Sequence, residues 1–149
     1  MSSSPSMAEL AETFWQKGFY CAESVVLAAA GKYGVKTEGI PAMATGFCSG
    51  VSRTSGYCGA VTGGIMAIGM IRGRAAASDS VAPCYSAVQN FLHAFEKEYG
   101  SLDCTPLLGC DLGTPEGQDE YKQRFGSGEN PVCCGFTVAA ARLVETILS

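Results

Sequence analysis

An all-α fold is predicted for this chain of 149 residues by three observations. Apolar residues recur at three- and four-residue spacing, and glycine or proline closes most of the runs they form. No stretch alternates with a period of two over the length of a strand, and no Asn-Gly or Asp-Gly dipeptide marks a hairpin. The pattern predicts a compact bundle of five or six helices around a central glycine-rich apolar helix. Residues 7–149 read as a single domain and residues 1–6 as a disordered tail, with no internal repeat and no dividing linker.

The elements follow in order. Residues 7–17 place Leu10, Phe14 and Lys17 at helical spacing, with acids early and the lysine late, as the helix macrodipole favours; Gly18 ends the run. A second helix is expected from Cys21 to Tyr33, with Val25, Val26 and Ala29 on its apolar face and Gly34 as its C-terminal cap. A short helix over 38–45 leads into 46–56, too rich in Gly and Ser to be regular. Residues 58–71 are apolar all round and should form the central helix. Gly59, Gly63 and Gly64 each cost it about 1 kcal/mol of propensity. Either another helix approaches closely there or a cofactor lies against the backbone.

A helix over 78–99, capped by Ser78 or Asp79, would turn Val88, Phe91, Leu92 and Phe95 inward, and Gly100 stops it. Residues 102–115 read as loop with at most one helical turn, and 116–124 as a polar, exposed helix. After Asn130-Pro131 the last helix is expected over 133–148, with Phe136, Ala140, Leu143 and Ile147 facing the core.

Composition narrows the function. Net charge is −4 and the ten basic residues are scattered, Arg72 and Arg74 forming the one local cluster, so a nucleic-acid partner is not expected. The longest apolar stretch, 60–71, falls short of the roughly 20 residues of a bilayer span, so no membrane span is expected. The opening Met1–Ser6 lacks the basic start and apolar run of a secretory leader, which predicts a cytoplasmic protein. In that compartment thiols stay reduced, so eight cysteines point to metal or catalytic chemistry rather than to a disulfide framework.

Cys21, Cys58 and Cys133 stand at expected helix starts, where unpaired N–H groups stabilise a thiolate, and Cys104 lies two residues before Pro106 in a turn. Four thiolates suit an iron–sulfur cluster or a structural zinc. Their separations of 37, 46 and 29 residues match neither zinc-finger knuckles nor ferredoxin runs. Cys48, Cys84 and Cys110 read equally as packing residues, while Cys48, Cys110 and Cys134 remain substitute or additional ligands. His93 reads as a half-buried helix residue, and Met66 and Met70 as core filler. Glu23, Glu38 and Asp111 form no acid–base pair, and hydrolase and nucleotide-binding motifs are missing.

Four blocks in order carry a resemblance: Gly18-Phe-Tyr-Cys21-Ala-Glu, Gly50 to Gly63 around Cys58-Gly59-Ala60, Cys104-Thr-Pro-Leu-Leu-Gly109-Cys-Asp111, and Cys133 heading the last helix. Over residues 10–148 the chain resembles the bacterial redox-active proteins labelled by the cysteine pattern C-GCAxxG-C-C. It departs in the local order Cys58-Gly59-Ala60 and in Cys134 beside Cys133. The resemblance implies redox behaviour. A similar domain of split-Soret cytochromes is thought to hold an iron–sulfur cluster, which favours a cluster on Cys21, Cys58, Cys104 and Cys133 here, serving electron transfer or redox sensing with a redox partner protein. The haem does not transfer, because no Cys-x-x-Cys-His is present.

Two other readings stand beside it. One is a metal-free thiol oxidoreductase or sensor with Cys58 as its low-pKa nucleophile and a vicinal Cys133-Cys134 disulfide. The other is a helical domain with structural zinc. If the protein is an enzyme, an oxidoreductase is expected. The small-residue helix also suits a homodimer.

Overall fold

The computed structural model describes residues 3–126 and 128–149, and among them it is all-α. The helices are α1 (Met7–Gln16), α2 (Cys21–Tyr33), the single turn α3 (Cys48–Arg53), α4 (Gly59–Arg72), α5 (Ala82–Tyr99), α6 (Cys104–Leu108), α7 (Pro115–Phe125) and α8 (Pro131–Leu148), with a 3-10 helix over Ala42–Phe47. Residues 1–2 of the expected tail and Ser127 lie outside the described residues. At the end of that tail, Ser6 and Glu9 form a capping box on α1, and Lys32 donates to Ser4 and to the Pro5 carbonyl.

The main core lies where α4 meets α2, α5 and α8, and α1 closes it against α2 and α8. Val25, Val26 and Ala29 are buried on α2, and Phe91 and Phe95 on α5. On α8 the fully buried face is Thr137, Ala140, Ala141 and Val144; Phe136, Leu143 and Ile147 flank it half-buried. Glu145 accepts from the Met7 backbone N–H and so ties α8 to the start of α1. By length and its mean hydropathy of 1.5, α8 meets the composition of a membrane-crossing helix; here it packs against α1, α2, α4 and α5.

The α4 glycines are explained by protein atoms. A Cβ on Gly59 would fall on the Cys21 sulfur, one on Gly63 would come within 2.8 Å of Ala22 Cα, and one on Gly64 would enter the Phe91 ring. Close approach of α2 and α5 therefore accounts for all three.

Several boundaries differ from the sequence reading. The expected helix over 38–45 is a turn containing a cis Ile40-Pro41 bond, followed by the 3-10 helix. α5 starts at Ala82, because Asp79 accepts from the Ala75 and Ala76 N–H groups instead of capping it, and Pro83 fits the first turn. Cys104 opens the one helical turn allowed for in 102–115, now α6, and α8 starts two residues early at Pro131, capped by Asn130. His93 is exposed.

A urea titration should separate the two kinds of glycine in α4. Gly64→Val, which drives a side chain into Phe91, should lose about 1–3 kcal/mol, whereas Gly69→Ala, whose Cβ meets nothing within 4 Å, should gain up to about 1 kcal/mol.

Candidate metal centre

Four devices bring cysteines from distant parts of the chain together. Cys21 is the first residue of α2, and its sulfur fills the space left by Gly59. Glu23 fixes this helix start, accepting from the Tyr20 N–H at 2.9 Å and from the Thr45 hydroxyl at 2.7 Å. Cys58 is the N-cap of α4. It is tied to Cys104 by an antiparallel bridge between Tyr57 and Asp103: Cys58 N–H donates to the Leu102 carbonyl at 2.8 Å and Cys104 N–H to the Gly56 carbonyl at 3.0 Å. Cys133 sits in the first turn of α8, its N–H donating to the Asn130 side chain at 3.0 Å.

Cys21, Cys58, Cys104 and Cys133 line one cavity of about 260 Å³. Arg53 and Lys122 also line it, and among the described residues no Asp or Glu does. Trp15, Tyr20, Tyr121 and Asn130 close its side toward α1 and α8. Cys21, Cys58 and Cys104 are buried, and Cys133 is half-buried.

Part of the lining comes from an unusual backbone. Ser49 to Arg53 run through the left-handed region, with φ between 56° and 68°, so α3 is a left-handed turn. For Ser49, Val51, Ser52 and Arg53 this costs roughly 1–2 kcal/mol each. Local bonds hold it: Gly56 N–H donates to the Gly50 carbonyl at 2.9 Å, the Ser52 hydroxyl to the Gly46 carbonyl at 2.7 Å and the Ser55 hydroxyl to Asp111 at 2.9 Å. Gly50 presses against Cys104, where a Cβ would come within 2.7 Å of the Cys104 Cβ. The turn thereby carries Ser49 and Arg53 to the cavity wall.

Burial raises the pKa of Cys58, Cys104 and Cys133. It pushes Cys58 up to about 12, against the opposing pull of the Ala60 and Val61 N–H groups. Cys104 is pushed up to about 11 by burial and then by Cys110 and Asp111. Cys133 is also pushed up to about 11 by burial, partly opposed by its hydrogen bond with Asn130. Burial therefore outweighs the helix start at Cys58 and Cys133, both of which lie above the ordinary thiol range in the metal-free chain.

The other cysteines separate by position. The Cys48 thiol donates to the Ala44 carbonyl at 3.7 Å, and the neighbouring Cys21 side chain together with burial raises its pKa. Cys110 packs with Cys104, Leu108 and Cys133 in a second small core under α7. Cys134 lines a neighbouring groove and not the four-cysteine cavity. Cys84 packs half-buried on α5.

The donor set fits a thiolate-bound metal centre in kind: four soft ligands, two nearby cations and no competing carboxylate. A single tetrahedral zinc would need sulfurs about 3.8 Å apart, from a Zn–S bond of about 2.3 Å. Among the described residues, no three Cys, His, Asp or Glu side chains are gathered to hold one ion.

Sequence reasoning missed Ser49, Arg53, Tyr121, Lys122 and Asn130 as wall residues. Asn130 was legible as a cap before Pro131. No signal marks Arg53, because Val51, Ser52 and Arg53 are residue types that avoid left-handed backbone.

No curated protein and no solved structure matches the chain. A family profile described as "Putative redox-active protein (C_GCAxxG_C_C)" matches residues 19–147, and the chain belongs to that family of redox-active proteins.

Proposed function

We propose that the protein binds one iron–sulfur cluster through Cys21, Cys58, Cys104 and Cys133 and serves in electron transfer or redox sensing. The observation that carries this reading is the convergence of four cysteines from four separate elements on one cavity whose other charged walls, Arg53 and Lys122, are cationic. When bound, such a cluster supplies reversible one-electron transfer at a potential set by its net charge, hydrogen bonding and exposure. The chain's part is to hold the ligands, offset the negative charge and limit water. Arg53, Lys122 and the N–H groups at the start of α4 do the second; Trp15, Tyr20 and Tyr121 do the third. If the protein is an enzyme, it is an oxidoreductase, and its partner is another redox protein or carrier. A cytoplasmic setting would keep the thiols reduced for loading.

A metal-free thiol mechanism has less support, since burial keeps the Cys58 thiol protonated at neutral pH. Structural zinc remains the alternative occupant of the same four thiolates, and metal analysis of the purified protein separates the two.

Anaerobic loading with iron and sulfide should give a brown protein absorbing over roughly 300–500 nm. Cys58→Ser or Cys104→Ser should reduce bound iron at least severalfold, and Cys84→Ser should not. A colourless preparation with stoichiometric zinc would overturn the reading.

The metal-free protein should lose stability in alkali. Cys58, Cys104 and Cys133 have folded pKa values of about 12, 11 and 11, above the ordinary thiol value near 9. The unfolded chain therefore deprotonates first as pH rises. Urea midpoints should be level below about pH 8 and fall between about pH 9 and 12, a fall that the loaded protein, whose ligands are already deprotonated, should not share.

A further inference from the structure

We propose that Cys21 and Cys48 form a peroxide-sensitive dithiol, which closes to a disulfide in the metal-free protein and so takes one ligand away from the four-cysteine cavity. Formation of the bond does not depend on the cluster; its effect on loading rests on the cluster reading above.

The placement of the pair is set by Gly59. The point where a Cβ on Gly59 would stand lies 2.0 Å from the Cys21 sulfur and 3.2 Å from Cys48 Cα, so that sulfur and that Cα are at most about 5.2 Å apart. A disulfide joins Cα atoms about 4.4–6.8 Å apart, the same scale of approach. The Cys21 side chain is also the strongest influence on the Cys48 thiol.

Two hydrogen bonds hold the segment carrying Cys48 against both helix starts. The Thr45 hydroxyl donates to Glu23 in the first turn of α2 at 2.7 Å, and the Thr62 hydroxyl in α4 donates to the Phe47 carbonyl at 3.1 Å. The two cysteines are thus neighbours before any bond forms between them.

Other sulfurs are placed differently. Cys58 and Cys104 stand diagonally across the Tyr57–Asp103 bridge, a relation that separates Cα atoms by about 7–8 Å, beyond the usual span of a disulfide. Cys133 and Cys134 are consecutive on α8, where adjacent side chains do not face each other.

Access orders the chemistry. Cys21 lines the cavity, whereas Cys48 is 4% exposed and does not, so a molecule as small as hydrogen peroxide meets Cys21 first. The Cys21 thiolate attacks one peroxide oxygen, the O–O bond breaks, and hydroxide leaves a sulfenic acid behind. Cys48 then attacks that sulfur: the S–S bond forms, the S–O bond breaks, and the departing oxygen takes the Cys48 thiol proton to become water. In sum, two thiols give up two electrons and two protons, and one peroxide becomes two waters.

The test takes the full metal-free chain, reduced and then exposed to equimolar hydrogen peroxide, with remaining thiols blocked by N-ethylmaleimide in denaturant. Trypsin cuts after Lys17, Lys32, Lys36 and Arg53, so Cys21 and Cys48 fall on separate peptides with one cysteine each. Free thiols should drop by two from eight, and mass mapping should find the Cys21–Cys48 cross-link. In Cys48→Ala, and in Cys48→Ser, which keeps the volume, dimedone should instead capture a sulfenic acid at Cys21. Both variants, kept reduced, should take up iron and sulfide as the unaltered chain does. Peroxide should lower iron uptake by the unaltered chain at least severalfold, and dithiothreitol should restore it.

No loss of thiols, a different cross-link such as Cys104–Cys110 in its place, or the same loss of two thiols in Cys48→Ala would overturn the inference, as would undiminished iron uptake by cross-linked protein. Absence of the cross-link with normal iron uptake removes this inference alone. A cross-link in protein that takes up no iron even when reduced removes only the cluster reading.

Discussion

The sulfur of Cys21 occupies the space where any residue but glycine at position 59 would carry its Cβ. Much of the architecture follows from that contact. It sets how closely the start of α4 can lie against the start of α2, and Gly63 against Ala22 continues the approach one turn further. Because Cys58 immediately precedes Gly59, the same approach places a second sulfur at the cavity wall. Packing and ligand placement are thus one constraint: the helix pair cannot separate without moving two cysteines.

A second constraint concerns where the chain departs from relaxed backbone. Val51, a β-branched residue, is held at φ 56° within a turn whose neighbours are also left-handed. Such conformations persist only where surrounding contacts over-determine them, and they cluster at functional sites. Here the hydrogen bonds from Ser52, Ser55 and Gly56 and the Cys104 contact at Gly50 supply that support. What the strain achieves is placement of Ser49 and Arg53 on the cavity wall, which a right-handed turn of the same length would send elsewhere.

Much of the fold could be read from the residues. Helical periodicity located α1, α2, α4, α5 and α8, because their buried faces are continuous and their ends carry caps or glycines. The glycines of α4 flagged a close approach, and coordinates were needed to tell helix from cofactor, since both explanations need the same missing Cβ. Boundaries failed where a polar side chain had two possible partners: Asp79 serves the preceding loop instead of capping α5. The α3 turn was illegible for a deeper reason, since it runs against the preferences of its own residues and exists only through tertiary contacts. At the site, Cys21, Cys58 and Cys133, expected at helix starts, and Cys104, expected in a turn, line one cavity, while the thiolate expected at the starts of α4 and α8 is opposed by burial. Desolvation outweighs the helix terminus once the thiol is buried.

The Tyr57–Asp103 bridge, small as it is, fixes the register between two segments separated along the chain by α4 and α5. In an antiparallel pair a slip of one residue turns every side chain to the opposite face. Inserting or deleting a single residue between Gly56 and Cys58, or between Leu102 and Cys104, would therefore rotate one sulfur away from the others even if every helix still formed. The pairing of two short stretches of backbone thus makes the length of the chain on either side of it a condition for bringing the sulfurs to one cavity.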